Sequence, residues 1–384
     1  MSNAADRPRV ALVMSGGGAR AAYQVGVLKA IAEIVPARAP NPFPIICGTS
    51  AGAINSAALA IYARDFDHAV RRLLQVWGNF HVGQVFRADA RGLAGTGMRW
   101  LAAMMLGGLG RNNPRALLDR APLASLLARL LPCERIQHSI EHGLLEALSI
   151  TVSGYSSGQS VTFYQAVRGT EPWRRARRLG CPTCITLDHL MASSAIPFIF
   201  EAVRIHREYF GDGSMRQIAP LSSAIHLGAE RILVIGVRQE KPAAPARETE
   251  PPTHPSVAQI AGHVLSSIFL DALEADFERL QRINQTLRLI STPNNGSQSA
   301  LRPVEVMLIA PSGDLGEIAG RHKHHFPRPV RFLLRGLGAY GSRGGDLVSY
   351  LLFEQPYCRE LIELGYGDTI KRRDEVRDFL GMGA

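Results

Sequence analysis

The 384-residue chain is 46% hydrophobic and 20% charged, proportions that can bury a large core and exclude wholesale disorder. Its net charge of +10 fits either an anionic membrane surface, bound weakly, or a solvated basic surface; with no reading helix and no aromatic–basic interleaving, nucleic acid is not an expected partner. The longest apolar stretches, such as 98–110 (MRWLAAMMLGGLG), fall short of the ~20 residues that span a bilayer. Asp6, Arg7 and Arg9 interrupt the N-terminus, which does not read as a signal peptide. A cytoplasmic protein, peripheral at most to a membrane, is the expectation.

In chain order, residues 9–14 (RVALVM) predict a short buried strand, stopped by Ser15-Gly16-Gly17-Gly18. Val25, Leu28, Ala32 and Val35 then recur on one helical face until Pro36, Pro40, Pro42 and Pro44 end it. A second strand, 44–47 (PIIC), meets Gly48-Thr49-Ser50-Ala51-Gly52, and Ile54, Ala57, Ala58 and Ile61 mark the next helix. Strand–loop–helix twice over is the rhythm of an α/β fold with a mostly parallel sheet. Residues 85–131, with Trp100, Met104, Met105 and Leu106, read as an insertion, either a lipid-facing cap over a site or a segment packed on the core.

Strands at 148–154 and 160–165, joined by Ser156-Ser157-Gly158, predict a hairpin. Cys181-Pro182-Thr183-Cys184 lacks the second pair of a zinc ribbon, and five widely spaced cysteines build no disulfide framework. Further strands are expected at 203–210, 231–237 and 304–310, the last rejoining the sheet. A proline- and charge-rich loop separates them at 238–256, and Leu270, Leu273, Phe277, Leu280, Ile283 and Leu287 predict a long amphipathic helix. His322, His324 and His325, beside Arg321 and Lys323, read as basic surface and not as metal ligands. The organisation is thus a core at 9–237 and a C-terminal extension at 257–384 packed on it, without internal repeats.

Three motifs carry chemistry. In Gly48-Thr49-Ser50-Ala51-Gly52, a nucleophilic serine would stand at a sharp strand-to-helix turn, with Gly48 and Gly52 removing side chains that would clash there. The amide of Ala51 and the positive end of the following helix would face the reacting oxygen. The loop Gly16-Gly17-Gly18-Ala19-Arg20 admits three readings: a dinucleotide site, a P-loop or an oxyanion hole. The first lacks an acid at the end of a second strand, since Glu33 lies in the helical pattern, and the second lacks its Gly-Lys-Ser/Thr ending. The third explains both motifs together. Gly211-Asp212-Gly213-Ser214, alone, is a turn.

Taken together, Ser15–Arg20 before a helix, then GTSAG, then MASSAIPFIF at 191–200, then the Gly-Asp-Gly turn, resemble a bacterial patatin-like phospholipase over residues 9 to about 237. The resemblance implies a three-layer α/β/α sandwich and a lipid acyl ester as substrate. It implies Ser50 as nucleophile, Asp212 as its base in a two-residue catalytic unit, and the amides of Gly16, Gly17 and Gly18 as oxyanion donors beside Ala51. No metal and no cofactor are implied. Two positions depart from the family pattern: Ala21 where the loop motif ends in glycine, and Ser214 where glycine or alanine is commoner. Neither removes a reacting group.

Two other readings stand beside this one. The first is a catalytically silent lipid-binding protein on the same scaffold. The second is a Ser-Asp-His α/β-hydrolase whose histidine would be His226 or His263. Natural substrate and oligomeric state are not encoded legibly.

Overall fold

The computed structural model describes residues 8–106, 110, 113–239, 254–289, 302–341 and 345–382. The strands are β1 (Val10–Met14), β2 (Ile45–Thr49), β3 (Ala147–Gly154), β4 (Ser160–Ala166), β5 (Trp173–Arg175), β6 (Arg178–Pro182), β7 (Val203–Ile205), β8 (Glu208–Asp212), β9 (Arg231–Ile235) and β10 (Glu305–Ile309). Around them lie α1 (Ala22–Ile34), α2 (Ala51–Ile61), α3 (Phe66–Trp77), α4 (Ala90–Met105), α5 (Ala121–Leu130), α6 (Arg135–Glu141) and α7 (Leu187–Ser193). The second half adds α8 (Ser222–His226), α9 (Val257–Leu289), α10 (Leu315–His322), α11 (Arg328–Gly336), α12 (Gly345–Leu351), α13 (Gln355–Ile370) and α14 (Arg373–Phe379).

One sheet runs β10-β9-β1-β2-β3-β4-β6-β5, with the β7–β8 hairpin joined to β3. From β10 to β3 every neighbour is parallel. Central strands such as VALVM are apolar at every position because both faces are covered. Leu12, Met14, Ile46, Leu233 and Ile235 pack with α1, α2, α3 and α13, whereas Ala11, Val13, Ile45, Cys47, Ile232 and Val234 meet Leu221 and Ala224 at α8 and Leu273 and Leu280 of α9. Each Leu, Ile, Val or Met among them contributes about 1.5–3 kcal/mol by leaving water. The result is a three-layer α/β/α sandwich around a mostly parallel sheet.

One expectation is corrected. Residues 203–210 do not form one strand, because His206 takes φ 53 and folds β7 back onto β8. In the basic run 174–178, Arg177, at φ 56, turns β5 into β6 at the edge of the sheet. Charged residues hide the strand pattern there, and on an edge strand they discourage pairing with another chain. Cys181 lies in β6 and Cys184 just beyond it, both as free thiols.

β10 extends the sheet beside β9, as its apolar pattern predicts, and of the C-terminal helices α13 and α14 pack on α1 while α9 covers the other face. Tyr23 of α1 donates to Asp368 of α13 at 3.2 Å, and Lys29 pairs with Glu363 of the same helix. Of the proline-rich loop expected at 238–256, residues 240–253 lie outside the described residues.

Candidate active site

Ser50 is the single residue between β2 and α2, with φ 56 and ψ −127. A non-glycine residue held there stores about 1–3 kcal/mol, so its surroundings must over-determine it. They do. The Ser50 amide donates to Ser193 Oγ at 2.8 Å, and the Ser193 hydroxyl donates in turn to the Thr151 carbonyl of β3 at 2.7 Å. On the other side Gly52 lies so close to β1 that a Cβ would sit 2.4 Å from the Met14 carbonyl oxygen. Ala51 opens α2, so its amide is among those without an intrahelical partner, at the positive end of the helix.

Asp212 ends β8 opposite Val152 of β3 and is fully buried. Its Oδ1 accepts from the Ser214 amide at 2.9 Å; Oδ2 is buried and accepts nothing among the described residues. Burial pushes its pKa up to about 6, against the pull of the Ser50 hydroxyl, the amide and hydroxyl of Ser214, and Arg120. Ser50 is therefore near enough to favour the carboxylate but makes no hydrogen bond of normal geometry to it. Ser214, one of the two departures from the family pattern, serves as a partner of the carboxylate. Arg120 is itself buried, held by the carbonyls of Met191 and Glu201, and burial lowers it to about 10.

The glycine loop follows β1 and is clamped from the far end of the chain. Gly18 takes φ 56, and a Cβ there would lie 2.2 Å from the Tyr350 carbonyl oxygen. Arg20, nearly all buried, donates from Nε to Ser349 Oγ at 2.7 Å and pairs with Asp346 at 2.9 Å, with its guanidinium 4.2 Å from the Tyr350 ring centre. Beneath the loop, Gln24 donates to the Ser15 carbonyl, Asn55 to Gln24 and Trp77 to Asn55, a chain of bonds of 2.8, 3.0 and 2.9 Å. Ala21 is fully buried, and its carbonyl accepts from Asn55 at 3.4 Å. Neither Ser193, nor α12, nor the Gln24–Asn55–Trp77 chain was singled out from the sequence; Ser193 alone left a signal, inside MASSAIPFIF.

Ser50, Ala51 and Gly18 line one part of a cavity of about 430 Å³. Elsewhere its wall is mainly apolar, built by Val76 and Trp77 of α3, Leu123, Leu126 and Leu127 of α5, and Phe353, with Arg72, Gln75, Asn79, Gln84 and Arg129 also on it. A segment of the 85–131 insertion thus lines the cavity through α5. Among the described residues, neither His226 nor His263 hydrogen-bonds to Ser50 or Asp212. His226 stacks on Trp173 with ring centres 5.0 Å apart, and burial lowers its pKa to about 4. His263 is exposed on α9. No group of three metal-ligating side chains is found among the described residues, and His322 is held by Glu360.

The family profile described as patatin-like phospholipase matches residues 12–225. The lysophospholipase nte1 of Aspergillus terreus is 53% identical over 58 residues, which are 15% of this chain and 3% of that protein. Among solved structures, VipD from Legionella pneumophila is 14% identical, with 98% of this chain and 69% of that one covered at a TM-score of 0.35. Human GIVD cytosolic phospholipase A2, in complex with methyl gamma-linolenyl fluorophosphonate and terbium chloride, is 13% identical, with 97% and 59% covered at a TM-score of 0.40.

Proposed function

The chain belongs to the patatin-like phospholipase family, and from that premise we propose that it hydrolyses acyl esters of lipids through a Ser50–Asp212 dyad. The observation that carries this reading is the placing of a strained serine beside a buried carboxylate with one free oxygen, on the wall of a mainly apolar cavity. A cavity lined mainly by apolar side chains suits an acyl chain.

In the proposed reaction, Ser50 Oγ bonds to the ester carbonyl carbon while its proton passes to Asp212 Oδ2. The carbonyl electron pair moves to oxygen, which the amides of Gly16, Gly17, Gly18 and Ala51 and the start of α2 stabilise. Collapse expels the alcohol, which takes the proton back from Asp212 and leaves an acyl-serine. Water then attacks in the same manner and frees the fatty acid. An Asp212 poised near 6 is ionised at neutral pH yet basic enough to accept the proton. The absence of a histidine bonded to either residue, among those described, favours the dyad over a Ser-Asp-His triad.

An alkyl fluorophosphonate tests the proposal, since it phosphonylates only an activated serine. Label is expected on Ser50, with Ser50→Ala losing both label and hydrolysis of phospholipid, lysophospholipid and short acyl esters. A folded Ser50→Ala variant that retains esterase activity would overturn the mechanism. A wild-type protein that binds these lipids without labelling or hydrolysis would favour the silent lipid-binding reading.

A further inference from the structure

The first turns of α9 are apolar on two faces. Ala258, Leu265 and Phe269 are buried, while Val257, Ile260 and Val264 form a second stripe at three- and four-residue spacing that is 63, 51 and 49% exposed. The end of α11 meets the start of α9, where the Ala258 amide donates to the Leu337 carbonyl at 2.9 Å and Ser256 Oγ to the Gly338 carbonyl at 3.4 Å. That helix buries Val330 and Leu334 but exposes Phe332 to 82%, together with Leu333 and, just beyond its end, Leu337. Scattered exposed apolar residues are ordinary; two apolar stripes on helices that meet at their ends, with Leu337 at the junction, make a candidate patch.

The sequence flanking the patch is basic, and Asp346, which packs against Gly262 of α9, is paired with Arg20 at 2.9 Å. No carboxylate occurs in the sequence between Glu317 and Asp346, or between Glu250 and Asp271. Arg328, Arg331 and Arg335 stand on α11, and no ion pair holds them among the described residues. Arg335 lies beside the Tyr340 ring, at 5.2 Å from its centre. Guanidinium groups held by no ion pair among the described residues, beside exposed apolar side chains, match a surface that presents phosphate above hydrocarbon.

We propose that α11 and the first turns of α9 dock the protein on an anionic phospholipid bilayer, with Phe332 and the Val257–Val264 stripe entering the headgroup boundary and the α11 arginines on phosphates. The surface is packed to the candidate active site. Phe269 of α9 stacks on Tyr350, with ring centres 5.3 Å apart, and touches Gly16, while the Tyr350 carbonyl lies against Gly18. The inference rests on the acyl-hydrolase reading only in supplying that enzyme's lipid, and its test can be read without catalysis.

Sedimentation with vesicles of phosphatidylcholine alone and of phosphatidylcholine mixed with phosphatidylglycerol measures the docking. Binding is expected only with the mixed vesicles and weakened by salt, as charges separated by more than ~8 Å are screened at physiological ionic strength. Arg331→Ala and Arg335→Ala should each weaken it about fivefold, and Phe332→Asp about tenfold or more, at unchanged melting temperature. Arg174→Ala/Arg175→Ala, on the distant β5 edge, is the control and should bind like the wild type. Equal binding to both vesicles, equal loss in the control, or unchanged binding of all α11 variants would each overturn the proposal. Capture of a DNA duplex in place of vesicles, lost in the same variants, would do so too. Hydrolysis of a short, monomeric ester by Phe332→Asp should match the wild type; if no form of the protein hydrolyses it, the acyl-hydrolase reading fails while the docking result stands.

Discussion

The amide of Ser50 and the hydroxyl of Ser193 are 2.8 Å apart, so a side chain 143 residues away in sequence holds the backbone of the candidate nucleophile. Because that hydroxyl also donates to Thr151, it ties α7, the elbow and β3 into one unit. Ser193→Ala leaves two buried backbone groups short of a partner, at a cost of about 1–3 kcal/mol. Where that cost falls on the geometry of attack, kcat/KM and the rate of fluorophosphonate labelling should drop by about 5- to 150-fold. KM should change little. A folded variant that labels at the wild-type rate would remove Ser193 from this role.

The carboxylate of Asp212 should set the pH dependence. As the proton acceptor it must be ionised, so acylation should rise with pH through an apparent pKa near 6 and level off above it. The Ser214 hydroxyl favours the charged form, so Ser214→Ala should move that limb to higher pH. A rate profile with no limb in this region, or a limb shifted downward by Ser214→Ala, would disconnect Asp212 from the rate.

Asp212→Asn separates catalysis from stability. Removing the base should lower acylation by about 10⁴-fold or more, whereas His226→Ala and His263→Ala should stay within about tenfold of wild type, roughly 1.4 kcal/mol. One folded histidine variant as inactive as Ser50→Ala would establish a triad instead. The stability effect has the opposite sign. Folding raises the pKa from 3.8 to about 6, so the native state holds a proton that the unfolded chain releases, and stability falls as pH rises through that interval. Above it the full penalty, up to about 3 kcal/mol, is present. Asp212→Asn escapes it and should melt higher than wild type at pH 8, with a smaller gain at pH 5. Thermal unfolding at the two pH values decides this.

The cavity wall should select the acyl chain. Leu126 of α5 is buried and faces the cavity, so Leu126→Trp would shorten the space beyond Ser50. Overpacking costs about 1–3 kcal/mol of stability. The ratio of long- to short-chain ester hydrolysis should fall about tenfold or more, since each methylene refused by an apolar pocket is worth about 1–3 kcal/mol. An unchanged chain-length preference in a folded variant would place the acyl chain elsewhere.

What was legible in the sequence is what is local in the chain. β1, β2 and β9 are dominated by apolar residues because both faces of a central parallel strand are buried, and that composition needs no knowledge of the neighbours. The turn at Ser50 is compressed into five residues, whose small side chains betray the close approach of Met14 and Ser56 even though neither neighbour can be named. The β5–β6 edge was hidden because arginines on an edge strand carry no apolar alternation.

Everything that joins distant segments was decided by the tertiary structure alone. Arg20 meets Ser349 across 329 residues, and a motif read along the chain cannot show that α12 clamps the glycine loop. The raised pKa of Asp212 is a property of burial, which depends on the packing of β3, β8 and the 195 and 214 backbone around it. Likewise the sequence alone does not say which apolar face of the first turns of α9 is core. Only the packed fold, with Ala258, Leu265 and Phe269 already filling the inward face, leaves the stripe at Val257, Ile260 and Val264 outside.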